Sequence, residues 1–144
     1  FELNYAYQRV ASVLIPSYNW STEAGEIIIA RSGDGHFYID ADVNNVKVSF
    51  MVDTGASDIA LTKEDAQKLG FDLTQLKYTR TYLTANGENK AAPIKLDSVI
   101  IGKEFKDVSG HIGLGDLDVS LLGMSVLERF KGFKIDKDLL ILNY

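Results

Sequence analysis

The sequence lacks cysteine altogether and contains only two histidines, His36 and His111, in 144 residues. These absences exclude a disulfide framework, a thiol nucleophile and a cysteine-rich zinc site. A metal site is not expected, because two histidines alone would need the fold to bring further ligands to them. The chemistry of this chain must therefore come mainly from carboxylates, hydroxyls and the backbone.

A long hydrophobic run and a basic cluster are also absent. No stretch of about 18 apolar residues occurs, so the sequence printed above holds no membrane span. The 20 acidic residues outnumber the 15 basic ones and leave a net charge of -5, so nucleic acid is not expected as a partner. Because the chain begins with Phe1, we expect a processed or truncated piece with any targeting or membrane segment upstream.

What is present indicates one folded, mainly β domain. Hydrophobic residues make up 46% and charged residues 24%, as in ordinary soluble globular proteins. From Glu26 onward, short apolar runs are separated by turn residues at intervals of about ten, which is typical of a mainly β domain. The first 25 residues differ, because four apolar side chains are spaced there for one helix face: Leu3, Tyr7, Val10 and Leu14. We therefore predict an arm or juxtamembrane linker at residues 1–25 and a single domain at residues 26–144.

Local turn signals predict the first elements of this domain. A strand at residues 26–31 is expected to form an antiparallel hairpin with residues 36–43. The Asn44-Asn45 turn then leads into a strand at residues 46–52, whose last residues are apolar on both faces. Thr62 is expected to cap a short helix at residues 63–69.

The second half of the chain is expected to contain one long hairpin and several short strands. Asn86-Gly87 is the strongest hairpin signal and joins strands predicted at residues 77–85 and 91–96. The other predicted elements are strands at residues 99–101, 105–108, 119–122 and 139–144, with one or two helical turns at residues 125–130.

The segment most informative about chemistry is Asp53-Thr54-Gly55, which directly follows the apolar strand. A carboxylate at the end of a strand buried on both faces is costly to ionise, and this cost points to a functional role. Gly55 lacks a Cβ, which allows another chain to approach, and the Thr54 hydroxyl can fix the loop. The alternative is a β-turn in which Asp53 bonds its own backbone two residues on.

A second apolar strand followed by glycine, Leu121-Leu122-Gly123, favours the functional interpretation. Together with residues 53–57 and the Asn-Gly hairpin, this order resembles the retropepsin-like aspartic proteases, the single-lobe relatives of pepsin. Within that family, three segments most resemble the bacterial membrane-anchored branch found in rickettsiae: residues 35–37, 84–87 and 121–125. The resemblance covers residues 26–144 and implies a mainly β, pepsin-type half barrel with one flap hairpin and one or two short helices. It also implies a soluble protease domain with transmembrane helices upstream of Phe1.

The resemblance assigns roles to the residues of the first motif. Asp53 matches the catalytic aspartate, Thr54 the hydroxyl that braces the paired loops, and Gly55 the residue whose carbonyl holds the substrate backbone. Ala56 and Asp58 match substrate-binding subsite positions.

Other positions depart from the pattern of the viral members. Ser57 replaces the acidic residue usual there and is more similar to the pepsin pattern. The flap tip is Ala85-Asn86-Gly87 where viral enzymes carry several glycines, and its three residues are assigned to substrate binding. Tyr82 either joins them or packs under the hairpin.

A pepsin-like mechanism needs two carboxylates that share a proton. Asp53 is the only aspartate of this sequence that is followed by Thr-Gly or Ser-Gly. The resemblance therefore implies a homodimer with one Asp53 from each subunit at a twofold axis. It further implies a water nucleophile, a polypeptide substrate, no cofactor and self-cleavage of the arm. Residues 141–144 match the C-terminal strand that interleaves with the partner subunit, the alternative being an ordinary edge strand.

Two other functions stay open from the sequence. One is a retropepsin-like domain that dimerises or binds peptides without cleaving them, and the other is a plain β interaction domain in which residues 53–55 only form a turn. His111 could serve as a ligand or base, but no serine or cysteine nucleophile motif accompanies it, which favours an ordinary loop or strand histidine.

Overall fold

The structure is a computed structural model that describes residues 19–21, 25–84 and 87–144. The described residues are mainly strands with two short helices, which confirms the predicted fold class. The predicted helix face at residues 3–14 and the flap-tip residues Ala85 and Asn86 lie outside them. The strands are β1 (Asn19–Ser21), β2 (Glu26–Ala30), β3 (Tyr38–Val43), β4 (Val46–Val52), β5 (Ile59–Leu61), β6 (Arg80–Thr84), β7 (Gly87–Ile101), β8 (Lys103–Gly113), β9 (Ser120–Leu122), β10 (Gly132–Asp136) and β11 (Leu139–Asn143). The helices are α1 (Lys63–Lys68) and α2 (Met124–Leu127), and Leu73–Gln75 form a 3₁₀ turn.

Six strands close into a barrel in the order β3-β4-β9-β5-β8-β7, because β7 pairs with both β8 and β3. The pairing of β3 with β7 that closes the barrel is short, and it joins Val43 to Val99 and Asp42 to Ile100. Apolar side chains that alternate along these strands fill the barrel, among them Ile39, Phe50 and Leu96, which are fully buried. The barrel is therefore a packed core, and chemistry is confined to its rim and surface.

A second sheet, in the order β1-β2-β11-β10, corrects the first predicted hairpin. Residues 26–30 pair with β1 and β11 rather than with residues 36–43. This pairing buries apolar side chains from both strands, including Ile29, Leu140 and Leu142. Burial of these side chains outweighs the local turn signal, which only bends the chain between β2 and β3.

Both predictions for the C-terminal strand, that it interleaves with a partner subunit or that it is an edge strand, are wrong. β11 is flanked on one side by β2 and on the other by β10, a strand the sequence did not predict. It is therefore neither an edge strand nor free to interleave with a second subunit along residues 139–143. Deleting it would remove the buried Leu140 and Leu142 and destabilise the domain itself.

The other local signals are confirmed. Asn44 and Asn45 both have positive φ, at 47° and 67°, and turn β3 into β4. The Thr62 hydroxyl accepts a hydrogen bond from the Asp65 N–H and caps α1. The long hairpin is present as β6 and β7, with Thr84 opposite Gly87. β7 and β8 both run further than predicted, and the two strands expected at residues 91–96 and 99–101 are one.

Candidate functional site

Asp53 begins the loop that follows β4, at the rim of the barrel. Its N–H donates to the carbonyl oxygen of Leu122 at 3.0 Å, and its own carbonyl accepts from the Ala56 N–H at 3.1 Å. The carboxylate oxygen Oδ1 accepts from the Gly55 N–H at 2.9 Å. The turn foreseen as the alternative interpretation is therefore present, and it fixes the carboxylate while using only one of its two oxygens.

The C-terminal end of β4 is half-exposed, whereas the sequence predicts that it is buried on both faces. Met51, Val52 and Asp53 are half-buried, and Thr54 and Gly55 are exposed. β9 covers β4 on one edge, with Met51 opposite Leu121, and the loop beyond it faces outward. Apolar residues at this point therefore line a surface of the single chain rather than its core.

Gly123 allows β9 to pass close beside this loop. A Cβ there would lie 2.3 Å from the carbonyl oxygen of Asp58 and 2.6 Å from that of Ala56, so no side chain fits. The next two residues hold the loop, because the Met124 N–H donates to Ala56 O and the Ser125 N–H to Ser57 O, both at 2.9 Å. The strand and the start of α2 therefore fix the backbone that positions Asp53.

Asp58 is placed differently from the other predicted subsite residues. It is buried, and its two carboxylate oxygens are both occupied: Oδ1 by His111 Nδ1 at 2.7 Å and Oδ2 by Arg80 Nη1 at 2.8 Å. Each oxygen can still accept a further hydrogen bond, so the role of Asp58 in substrate binding stays a prediction. In this structure Asp58 joins Arg80 on β6 to His111 on β8.

Electrostatics keep Asp58 ionised. Burial disfavours its charged form, but hydrogen bonds and charge from His111 and Arg80 outweigh that cost, and the pKa of Asp58 lies below its usual range. Arg80 also reaches Ser57, with Nη2 at 3.3 Å from the serine Oγ. Since Arg80 lies on β6, this network ties the hairpin to the loop that carries Asp53.

Sequence reasoning missed Arg80 and the pairing of His111 with Asp58. The two paired residues are 53 positions apart, and they meet because β5 runs parallel to β8, with Ala60 opposite His111. No local pattern signals this register. His111 lies on β8, as predicted for an ordinary strand histidine, but the prediction missed its hydrogen bond with Asp58.

A pocket of about 350 Å³ lies between the hairpin and the barrel rim. Tyr82 lines it, half-buried, with its ring centroid 5.4 Å from that of His111. Ala60, Asn89 and Leu121 also line this pocket. Tyr82 therefore contributes both to packing against the barrel and to an open recess beside it.

Residues 53–56 share one loop, and Gly87 begins β7 opposite Thr84, at the tip of the hairpin. Among the residues with described positions, no three His, Asp or Glu side chains cluster as a metal site would require. Within the same ranges, no helix has the length and hydropathy needed to cross a bilayer.

A protein-family model matches most of the domain. Residues 39–129 match the model described as "gag-polyprotein putative aspartyl protease". The matched segment begins in β3 and ends just after α2, so it contains the Asp53 loop, the hairpin and Gly123.

Two curated relatives align along nearly all of the chain. An uncharacterized protein of Rickettsia prowazekii (strain Madrid E) is 83% identical over 144 residues, which is 100% of this chain and 62% of the relative. An uncharacterized protein from the cobV 5′ region of a Sinorhizobium species is 38% identical, over 96% of this chain and 62% of its own length. The chain thus spans about three fifths of the length of these relatives.

Solved structures with the same fold include a bacterial protein and two others. A crystal structure of a retropepsin-like aspartic protease from Rickettsia conorii is 85% identical, with a TM-score of 0.80 over 88% of this chain and 96% of that chain. The EIAV protease in complex with the inhibitor HBY-793 is 17% identical, with a TM-score of 0.54 over 65% and 86% of the two chains. The retroviral protease-like domain of Ddi1 from Leishmania major is 19% identical, with a TM-score of 0.51 over 69% and 80%. The last two share the fold alone.

Proposed function

The chain belongs to the retropepsin-like aspartic proteases, and on that premise we propose that it is an aspartic endopeptidase with Asp53 as its catalytic residue. One observation carries the proposal: the Asp53 carboxylate lies on a half-exposed strand end, with Oδ1 held by the Gly55 N–H. In the described chain no hydrogen bond occupies the second oxygen, which is the arrangement a proton-transferring carboxylate requires.

We propose that the active species is a homodimer in which two Asp53 loops face each other across a twofold axis. The exposure of Thr54 and Gly55 supports this, because the Thr54 hydroxyl has no partner among the described residues of its own chain. In the dimer it would bond the neighbouring loop, and Gly55 and Ala56 would line the substrate path. Since β11 is enclosed by strands of its own chain, the loops and other surfaces must supply the dimer contact.

The proposed reaction uses the two carboxylates in different protonation states. One Asp53 accepts a proton from water, and the water oxygen adds to the carbonyl carbon of the scissile peptide bond. The carboxyl of Asp53 of the partner subunit, protonated, donates a hydrogen bond to the carbonyl oxygen. The tetrahedral intermediate then collapses: the first Asp53 gives the proton that it took from water to the leaving nitrogen, the C–N bond breaks, and the pair of carboxylates again holds one proton.

Substrate would enter between the Asp53 loop and the β6–β7 hairpin, whose strands are described up to Thr84 and from Gly87. Ala85, Asn86 and Gly87 stay predicted substrate contacts at its tip. Membrane attachment through a segment upstream of Phe1 and self-cleavage of the arm also stay predictions.

The proposal is tested by incubating the protein with a degenerate peptide library between pH 4 and pH 8 and sequencing the products. We expect cleavage that is strongest under mildly acidic conditions, because the working pair of carboxylates retains one shared proton. A rate that rises steadily through pH 8 would contradict the shared-proton mechanism. A dimer that binds peptides and cuts none would favour the non-catalytic alternative.

A further inference from the structure

One ring nitrogen of His111, Nδ1, is hydrogen-bonded within the protein, and the other, Nε2, can bond a ligand. Nδ1 lies 2.7 Å from the Asp58 carboxylate, which is ionised and can only accept, so Nδ1 carries the proton of that bond. Nε2 has no hydrogen-bond partner in the part of the chain that the structure describes. The tautomer of the neutral ring is thereby fixed, and Nε2 is left as an acceptor.

The ring lines the pocket defined above. His111 and Gly113 are the half-buried residues of this part of β8, whereas Gly110 and Ile112 on the other face are buried in the barrel. Asp58, which is itself ion-paired with Arg80 at 2.8 Å, holds the ring through its bond to Nδ1, and the side chain of His111 is only 16% exposed. An imidazole that is so restrained presents Nε2 in a defined direction.

The pocket adjoins the Asp53 loop through β9. Leu121 lines the pocket, and the next residue, Leu122, accepts the hydrogen bond from the Asp53 N–H. Ala60 lies opposite Leu121 in the neighbouring strand and lines the same pocket. On the hairpin side, Tyr82 and Asn89 lie opposite each other in register and close the recess. A peptide extended across Asp53 under the hairpin would therefore direct one side chain into it.

We propose that His111 is a specificity-determining residue that selects an amide side chain, asparagine or glutamine, at one position of the substrate. Neutral His111 accepts a hydrogen bond at Nε2, and protonated His111 donates one there. An amide has both a donor and an acceptor, so it is matched in both states, and the volume of about 350 Å³ is ample for it. An aliphatic side chain would leave Nε2 unpaired on binding. This inference rests on the proposed endopeptidase function.

The test compares cleavage-site profiles of the wild-type protein with those of His111→Asn in the degenerate library. The variant amide can still donate to Asp58 from the place of Nδ1, but it has no atom at the place of Nε2. We expect wild type to enrich Asn and Gln about fivefold over Leu and Val at one position, the usual effect of one hydrogen bond. His111→Asn should lose that enrichment and keep the preferences at all other positions.

His36→Asn is the matched control, because it makes the same exchange at the exposed histidine between β2 and β3 and should leave the profile unchanged. If His111→Asn fails to fold, Gly113→Ala supplies the test, since its Cβ would lie 2.5 Å from the Tyr82 hydroxyl and narrow the pocket. The amide preference should fall in that variant too. Wild-type cleavage with no amide preference, or a preference that survives these variants, would overturn the role of His111 and leave the protease standing. A wild-type protein that cuts nothing would overturn the proposed function itself.

Discussion

Asp53→Asn is expected to lower kcat for peptide hydrolysis by at least about a thousandfold, because it removes the group that accepts and returns the proton. The fold should be unaffected. Asparagine can still accept the Gly55 N–H bond that Asp53 Oδ1 now accepts at 2.9 Å, and the side chain is half-buried rather than part of the core. Steady-state kinetics on a peptide found in the library measure the first effect, and thermal melting measures the second.

The matched control for this exchange is Asp97→Asn, which neutralises an exposed aspartate on β7. Asp97→Asn should change kcat by less than about twofold, as expected for a surface substitution away from the site. Cleavage by purified Asp53→Asn at the wild-type rate and at the same bonds would contradict the assignment and move the chemistry to another residue.

Gly123→Ala is expected to destabilise the domain by about 3 kcal/mol, the upper end of the usual cost of overpacking, because its Cβ would overlap atoms that cannot easily move. The nearest are two carbonyl oxygens, of Asp58 at 2.3 Å and Ala56 at 2.6 Å, and both belong to the backbone beside the Asp53 loop. The loop would have to shift, so activity should fall along with the melting temperature. Chemical denaturation measured alongside kcat/KM checks both effects.

Gly33→Ala gives the comparison, because a Cβ there would meet nothing within 4 Å and the φ of Gly33 is not in the left-handed region. Its free energy of unfolding should stay within about 0.5 kcal/mol of wild type. Equal stability of Gly123→Ala and Gly33→Ala would show that β9 does not pack against the loop as described.

Features set by neighbouring residues could be predicted from the sequence. The Asn44-Asn45 turn, the Thr62 cap and the Asn-Gly hairpin each depend on a few consecutive residues, and the structure confirms them. The Asp53 loop was found in the same way, since its turn uses only the next two residues.

Features set by distant residues could not be predicted in this way. β2 pairs with β11 from the far end of the chain, and its continuous apolar run, residues 27–30, does not distinguish this partner from other strands. The Arg80–Asp58 and His111–Asp58 contacts likewise join residues 22 and 53 positions apart. The end of β4 is half-exposed where burial is predicted, because apolar residues alone do not distinguish a core strand from a surface strand.

Subunit mixing tests the shared pair of Asp53 carboxylates most directly. Wild-type protein and Asp53→Asn are equilibrated at increasing ratios, at a fixed total concentration where sedimentation shows dimers, and peptide hydrolysis is measured. If each site needs one Asp53 from each subunit, activity follows the square of the wild-type fraction and falls to about one quarter in an equal mixture. Activity that follows the wild-type fraction linearly, and stays at about one half, would contradict the shared site and show that one chain carries the chemistry alone.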